Sequence, residues 1–473
     1  MTNDLKSNTL LCTAPKYTTD FVDEVKWQKV VRQSHSVTAS NQSSISLSTT
    51  RTAMLLTPLA LAACGGGDGN NNIEASSSSN LVARFENFQP QSSASTSPNF
   101  FTVYASDINA DGRSDFIISG GSFPPAVSDS FSIVTIKSSG SIYEITNTDF
   151  ETKFIHPAEI LTADFNADGL LDIFVATSGY DTSPFIGERN GIFLQSANGS
   201  FIDSSTNLPN VADNTHSATV GDINGDGFVD IYVGNIFNSG AILPYLLLNS
   251  GDGSFVKLSL SPEIFDYTTG FAGGNSKKYT SSLFADVDND SDIELILGMD
   301  ANSSSMILEF NATNNTFSVS KLLPSGYFGA DTITLDIKAG DINNDGRVDL
   351  VLSQTTNNPF YEGRALQILL QQENGDFVDI SANSNFTINK PWIQTISLID
   401  IDKDGDLDIV GAANAGGIYV FHNDGSGVFS EANAGNAAFS DARANVKGAI
   451  SDDLGTVFEV IVDQPTLEVY QYV

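Results

Sequence analysis

A chain of 473 residues with 57 acidic against 22 basic side chains has a formal charge of −35, which repels phosphate backbones and anionic lipid surfaces and so argues against nucleic acid as a partner. A hydrophobic fraction of 41% with 31 phenylalanines excludes a disordered chain, and two cysteines are too few for a disulfide framework. Polarity comes mainly from Asn, Ser, Thr and Gly, with only 17% charged residues, a mixture that reads as β-strands joined by turns.

In chain order, residues 1–53 read as an N-terminal extension, an overextended start placed ahead of the real one. Met54 to Ala63 form an apolar stretch of ten residues, too short to span a bilayer, which needs roughly 20. The string Leu61-Ala62-Ala63-Cys64 resembles the lipobox of bacterial lipoproteins. That resemblance implies lipidation of Cys64, cleavage just before it, and a place in the bacterial cell envelope as an outer-membrane or surface lipoprotein. Residues 64–97 are rich in Gly, Ser and Asn and read as the tether. Acyl chains would anchor the protein without a transmembrane helix.

From residue 98 onward one nine-residue pattern recurs. It begins as Asp107-Ile-Asn-Ala-Asp-Gly-Arg-Ser-Asp115 and returns as Asp164-Phe-Asn-Ala-Asp-Gly-Leu-Leu-Asp172 and Asp222-Ile-Asn-Gly-Asp-Gly-Phe-Val-Asp230. The later copies are Asp286-Val-Asp-Asn-Asp-Ser-Asp-Ile-Glu294, Asp341-Ile-Asn-Asn-Asp-Gly-Arg-Val-Asp349 and Asp400-Ile-Asp-Lys-Asp-Gly-Asp-Leu-Asp408. Their first aspartates stand 57, 58, 64, 55 and 59 residues apart. A short run such as Ser217 to Val220 precedes each loop and a β-branched run such as Asp230 to Val233 follows it, so the loop joins two strands. A third run, as in Pro244 to Leu248, and a hairpin into a fourth, as in Gly253 to Phe255, complete the unit. Four strands per unit make a propeller blade.

After the sixth copy the chain offers three strands: Val446 to Ile450, Val457 to Val462 and Leu467 to Val473, with a reduced loop from Asp452 to Glu459. Leu81 to Phe88 supplies a fourth strand, so that the two chain ends close the ring. The expected fold is all-β, a seven-bladed β-propeller of four-stranded blades, with six or eight blades as the alternatives.

Oxygen ligands at positions one, three and five, a backbone carbonyl at seven and a carboxylate at nine suit a hard cation that takes 6–8 oxygens, which favours Ca²⁺ over zinc or copper. The candidate ligands are Asp107, Asn109, Asp111 and Asp115 with the carbonyl of Arg113, then Asp164, Asn166, Asp168 and Asp172 with that of Leu170. They continue with Asp222, Asn224, Asp226 and Asp230 with Phe228, and Asp286, Asp288, Asp290 and Glu294 with Asp292. Asp341, Asn343, Asp345 and Asp349 with Arg347, and Asp400, Asp402, Asp404 and Asp408 with Asp406, complete the set of six structural Ca²⁺ sites. The twelfth positions (Ile118, Val175, Val233, Leu297, Leu352, Gly411) carry no Glu, which excludes an EF-hand.

These loops resemble the FG-GAP or VCBS repeats of propellers such as that of the integrin α-subunit. The resemblance implies loop-bound calcium that stiffens the fold, and a binding or adhesion module for an extracellular protein or polysaccharide, monomeric and not an enzyme. The alternative is a carbohydrate-active enzyme similar to propeller-type polysaccharide lyases. Four histidines (His35, His156, His216, His422) and no nucleophile elbow or phosphate loop give no catalytic constellation. With the loops on one face, the starts of the first strands mark the other, where His156, His216, Lys278, Tyr279 and Trp392 are the candidate ligand-facing residues. The insertion from Phe265 to Lys278 is a second candidate contact loop.

Overall fold

The computed structural model describes residues 79–86, 88, 100–121, 130, 132–139, 142–147, 152–180, 185–236, 242–260, 264–265, 278–388, 390–413, 418–432, 446–451, 456–463 and 466–472. Cys64, the apolar stretch before it, the tether, most of the insertion after Phe265 and residues 452–455 of the reduced loop lie outside them.

The chain opens with β1 (Ser79–Phe85) and then builds blade after blade as antiparallel meanders. Blade one is β2 (Phe100–Ser106), β3 (Asp115–Gly121), β4 (Ile133–Ser139) and β5 (Ile142–Asn147); blade two is β6 (Pro157–Ala163), β7 (Asp172–Thr177), β8 (Gly191–Gln195) and β9 (Phe201–Asp203). Blade three is β10 (Thr215–Gly221), β11 (Asp230–Asn235), β12 (Tyr245–Asn249) and β13 (Phe255–Ser259); blade four is β14 (Tyr279–Ala285), β15 (Glu294–Met299), β16 (Met306–Asn311) and β17 (Thr316–Leu322). Blade five is β18 (Thr332–Gly340), β19 (Asp349–Thr356), β20 (Glu362–Gln371) and β21 (Phe377–Asp379); blade six is β22 (Ile393–Ile399), β23 (Asp408–Ala413), β24 (Ile418–Asn423) and β25 (Phe429–Glu431). Blade seven is β26 (Val446–Ser451), β27 (Val457–Asp463) and β28 (Thr466–Tyr472), with β1 outermost. Helix among the described residues is confined to single 3₁₀ turns such as Ser205–Asn207. The fold is thus a seven-bladed propeller, not a six- or eight-bladed one.

The first strands of neighbouring blades adjoin one another, from β2 round to β26 and back to β2. This sandwiching explains the strand composition. Second strands such as Asp230–Asn235 and Asp349–Thr356 are buried at every position because a neighbouring blade covers each face. Outer strands such as Phe255–Ser259 are half-exposed. The apolar core therefore lies between blades: Leu161, Phe165 and Phe174 of blade two pack with Val220, Ile231 and Leu247 of blade three. Each such fully buried side chain contributes about 1.5–3 kcal/mol.

Five first strands share a register shift at the same place, six residues before the first loop Asp: Pro157/Glu159, Thr215/Ser217, Tyr279/Ser281, Thr334/Asp336 and Ile393/Thr395. A bulge re-aims the residue that follows it. Those residues are buried and polar, and four of them bond to the next blade: Ala218 N donates to Glu159 Oε2 at 2.7 Å, Ser282 Oγ to Ser217 Oγ at 3.2 Å, Ser281 Oγ to Thr334 O at 3.0 Å and Ile396 N to Asp336 Oδ2 at 2.9 Å.

Ring closure rests on β1. It runs antiparallel to β28, with Leu81 opposite Tyr470 and Phe85 opposite Leu467, and Phe88 is buried in the same core as Val103 and Phe116. Removal of residues 1–88 is expected to lower the melting temperature and broaden the transition in thermal denaturation. Arg84→Ala, which breaks only exposed ion pairs to Glu86 and Glu468, should leave the melting curve unchanged.

Candidate functional site

All six Asp-rich loops join the first and second strands of a blade, and strand two begins at position nine in each. The first carboxylate accepts two backbone N–H groups from its own loop. Asp164 Oδ1 takes Asp168 N at 3.1 Å and Oδ2 takes Gly169 N at 2.8 Å; Asp222, Asp341 and Asp400 do the same within 2.7–3.1 Å. Positions four and six both adopt left-handed backbone, as at Ala167 (φ 58°) and Gly169 (φ 86°) or Lys403 (φ 65°) and Gly405 (φ 101°). Glycine at six is therefore required by the turn, and Ser291, at φ 81° in loop four, occupies it under strain. Position four was not marked by the sequence pattern, since Ala, Gly, Asn and Lys all stand there.

The ninth carboxylate is buried and joins the loop to the third strand. Asp172 Oδ2 accepts Phe165 N at 2.8 Å and Oδ1 accepts Gln195 N at 2.7 Å; Asp349 and Asp408 make the same pair of bonds, to Ile342 and Gln371 and to Ile401 and Asn423. The residue that donates at the end of the third strand has a second task. Its side-chain amide reaches back to the loop of the preceding blade: Gln195 Nε2 donates to Ile108 O at 2.9 Å, Asn249 Nδ2 to Phe165 O at 2.8 Å, Gln371 Nε2 to Val287 O at 2.6 Å and Asn423 Nδ2 to Ile342 O at 2.7 Å. The sequence reading missed these four residues. Their signal was a Gln or Asn ending the apolar third run in these four blades.

Burial raises these carboxyl groups, against hydrogen bonds that favour the ionised form: Asp115, Asp172 and Asp349 to about 6, Asp230 to about 7 and Glu294 to about 8. The other loop carboxylates add repulsion in every case. Glu294 Oε1 is buried with no hydrogen-bond partner, and one oxygen from each of Asp286, Asp288 and Asp290 lies within 4.8 Å of the others, as do those of Asp400, Asp402 and Asp404. An all-oxygen set of this kind, with an orphaned buried oxygen beside it, fits a hard divalent cation.

The opposite face carries the starts of the first strands and the hairpins between strands two and three. Of the five residues expected there, His156, Tyr279 and Trp392 are buried, at 6%, 2% and 5% exposure. Tyr279 packs edge-on to Phe265 at 5.9 Å and Trp392 to Tyr361 at 5.1 Å, so they build the interior under this face and do not rim a channel. His216 and Lys278 are half-buried. Lys278 is lowered by burial beside the enclosed carboxyl of Asp300. The aromatic residues exposed on this face are ones the sequence reading passed over: Tyr327 (51%), edge-on to Phe328 at 5.1 Å, and Phe360 (45%), edge-on to Tyr361 at 4.5 Å. His156 and His216 stand in different blades on this side, whereas His422 lies beside the Asp-rich loop of blade six.

Two outcomes are expected. Gln195→Leu leaves Ile108 O and Leu171 O without a donor and should cost about 1–3 kcal/mol in chemical denaturation. Glu188, on the aromatic face, has its carboxyl enclosed under Ile155 and Thr177 although the residue is half-buried, and burial raises it to about 7 from 4.5. The folded chain then holds a proton that the unfolded chain releases. Its contribution to stability is present in full below 4.5 and is lost as pH rises through about 7. Glu188→Gln should accordingly reduce the fall in melting temperature between acid and mildly alkaline buffer; an unchanged fall would contradict this assignment.

The family of FG-GAP-like repeats matches residues 164–233 and 341–411, two spans that each run from the first Asp of one loop through the second strand of the next blade. No curated protein matches the chain. Among solved structures it is similar to a protein from Lactobacillus plantarum, at 14% identity over 70% of this chain and 83% of that one with a TM-score of 0.43. It is also similar to the Dos1 propeller, at 10% identity over 83% of this chain and 95% of that one with a TM-score of 0.48. The matched repeats and the seven antiparallel blades together identify this chain as an FG-GAP-repeat β-propeller.

Proposed function

We propose that the protein is a calcium-stiffened binding module displayed on the bacterial cell envelope through Cys64, which presents the face opposite its loops to an extracellular polysaccharide. The observation that carries this reading is two exposed aromatic rings on this face, Tyr327 edge-on to Phe328 and Phe360 edge-on to Tyr361, which in turn meets Trp392. Flat aromatic faces stack on the apolar C–H faces of sugar rings. The neighbouring exposed Asn358 and Glu362 offer hydrogen-bonding groups to hydroxyls, and such a site needs no cation to recognise a neutral glycan. A protein partner would use the same rings as anchors.

Calcium in this reading is structural. The raised ninth carboxylates show what a chain without the ion has to overcome: partly desolvated acids crowded by their neighbours. A cation in each loop offsets that repulsion and links three segments of one blade. In the described residues no helix is long and apolar enough to cross a membrane, and the reading places attachment in the lipidated Cys64 alone.

Two measurements on one sample test it. Each loop filled at ten times its dissociation constant contributes about 1.4 kcal/mol, so millimolar calcium should raise the melting temperature well above that in chelator; no rise would end the calcium reading. On a glycan array, Tyr327→Ala or Phe360→Ala should each weaken binding by roughly tenfold. Release of unsaturated sugar from the same glycans would replace the binding module with a lyase.

A further inference from the structure

The six loops share acid or amide side chains at positions one, three and five but differ in the residue set across from position nine, which is Lys137 in blade one and Glu309 in blade four. The third strand sets a residue directly across from the ninth carboxylate, on the same face of the sheet. Ile173 pairs with Phe193, Ile231 with Leu247 and Leu350 with Leu369, so Leu194, Leu248 and Leu370 stand across from Asp172, Asp230 and Asp349. In blade six Ile409 pairs with Phe421, and the residue across from Asp408 is His422.

This imidazole is turned into the loop. His422 Nδ1 lies 3.2 Å from Asp402 Oδ2 and 3.6 Å from Asp408 Oδ2. The nitrogen is buried, and neither contact has hydrogen-bonding geometry, so it has two carboxylate oxygens close by and a hydrogen bond to neither. Asp402, Asp408 and His422 each offer one ligand atom within 4.8 Å of the others, and Asp402 also belongs to the oxygen cluster of Asp400 and Asp404. An ion in this loop therefore meets a nitrogen donor that no Leu-bearing loop can supply.

We infer that loop six is a mixed nitrogen–oxygen site that takes a first-row transition cation such as Co²⁺, Ni²⁺ or Zn²⁺ in preference to Ca²⁺. Neutral imidazole is a favoured ligand of these borderline ions, whereas Ca²⁺ is a hard ion served by oxygen. Two carboxylates, of which Asp408 is buried and Asp402 exposed, and one half-buried imidazole form a donor set of the kind that such ions accept. The inference rests on the reading that the loops hold cations, and it separates loop six from the other five.

The test is a Co²⁺ titration of the full chain in millimolar calcium, read by the visible d–d bands, with Zn²⁺ as competitor. The wild type is expected to take up one Co²⁺ that Zn²⁺ displaces. His422→Leu, which installs the residue found across from three other loops, should weaken that uptake by at least about tenfold. His422→Gln, which keeps a polar side chain and removes the imidazole nitrogen donor, should do the same. Co²⁺ uptake equal in wild type and both variants overturns the inference. So does a wild type that binds no Co²⁺ while His422→Leu binds more calcium, the result expected if His422 is only a cationic partner of Asp402. A calcium titration of the same proteins reports separately on the general reading of the loops, since the Co²⁺ result is decided by the variants whatever calcium does.

Discussion

A buried carboxylate in each of the first six blades organises this propeller. At position nine of each of the five fully formed Asp-ended loops, an Asp with no exposed surface stands where the loop becomes the second strand. In loops two, five and six its two oxygens take backbone N–H groups from the loop and from the third strand. Hydrogen bonds to a charged group are worth about 1.5–3 kcal/mol each, and the desolvation of an ion costs several kcal/mol. In loops two and five desolvation wins, and burial raises the carboxyl groups of Asp172 and Asp349 to about 6 against those hydrogen bonds.

The same third-strand residue extends the constraint from one blade to the next. Gln195, Asn249, Gln371 and Asn423 each receive the carboxylate through the backbone N–H and bond the preceding loop through the amide side chain. Apolar packing between blades is strong but non-directional, whereas these bonds fix the angle at which one blade meets another. Blade four breaks the pattern. Phe310 stands where blades two, three, five and six have Gln or Asn and blade one has Ser138, Glu294 replaces the ninth Asp, and its Oε1 is left without a partner. That loop also carries the strained Ser291, so three departures from the repeat coincide in one blade.

Sidedness follows from strand parity. Four antiparallel strands place every first-to-second loop on one face and every second-to-third hairpin and blade-to-blade connection on the other. One face is therefore committed to acidic loops, and the other is free to vary. The exposed aromatic pair Tyr327 and Phe360 sits on that variable face, in blade five and the connection that leads into it.

The sequence by itself determined the repeat, the strand on each side of it and the candidate closing strand, because a motif at near-constant spacing and alternating turn chemistry act locally, whereas ring closure fixed the blade number at seven. It also marked the loop residues, since position in the nine-residue pattern is enough to place them. Tertiary structure decided what lies across a sheet or across a blade boundary. Trp392 and Tyr279 looked like surface residues at the start of a strand, and only packing against Tyr361 and Phe265 from other segments put them inside. Tyr327 and Phe360 come from different connections, and Gln195 reaches a loop 87 residues away. His422 likewise gains its meaning from the residue facing it. Such pairings depend on register and ring closure, which no local pattern encodes.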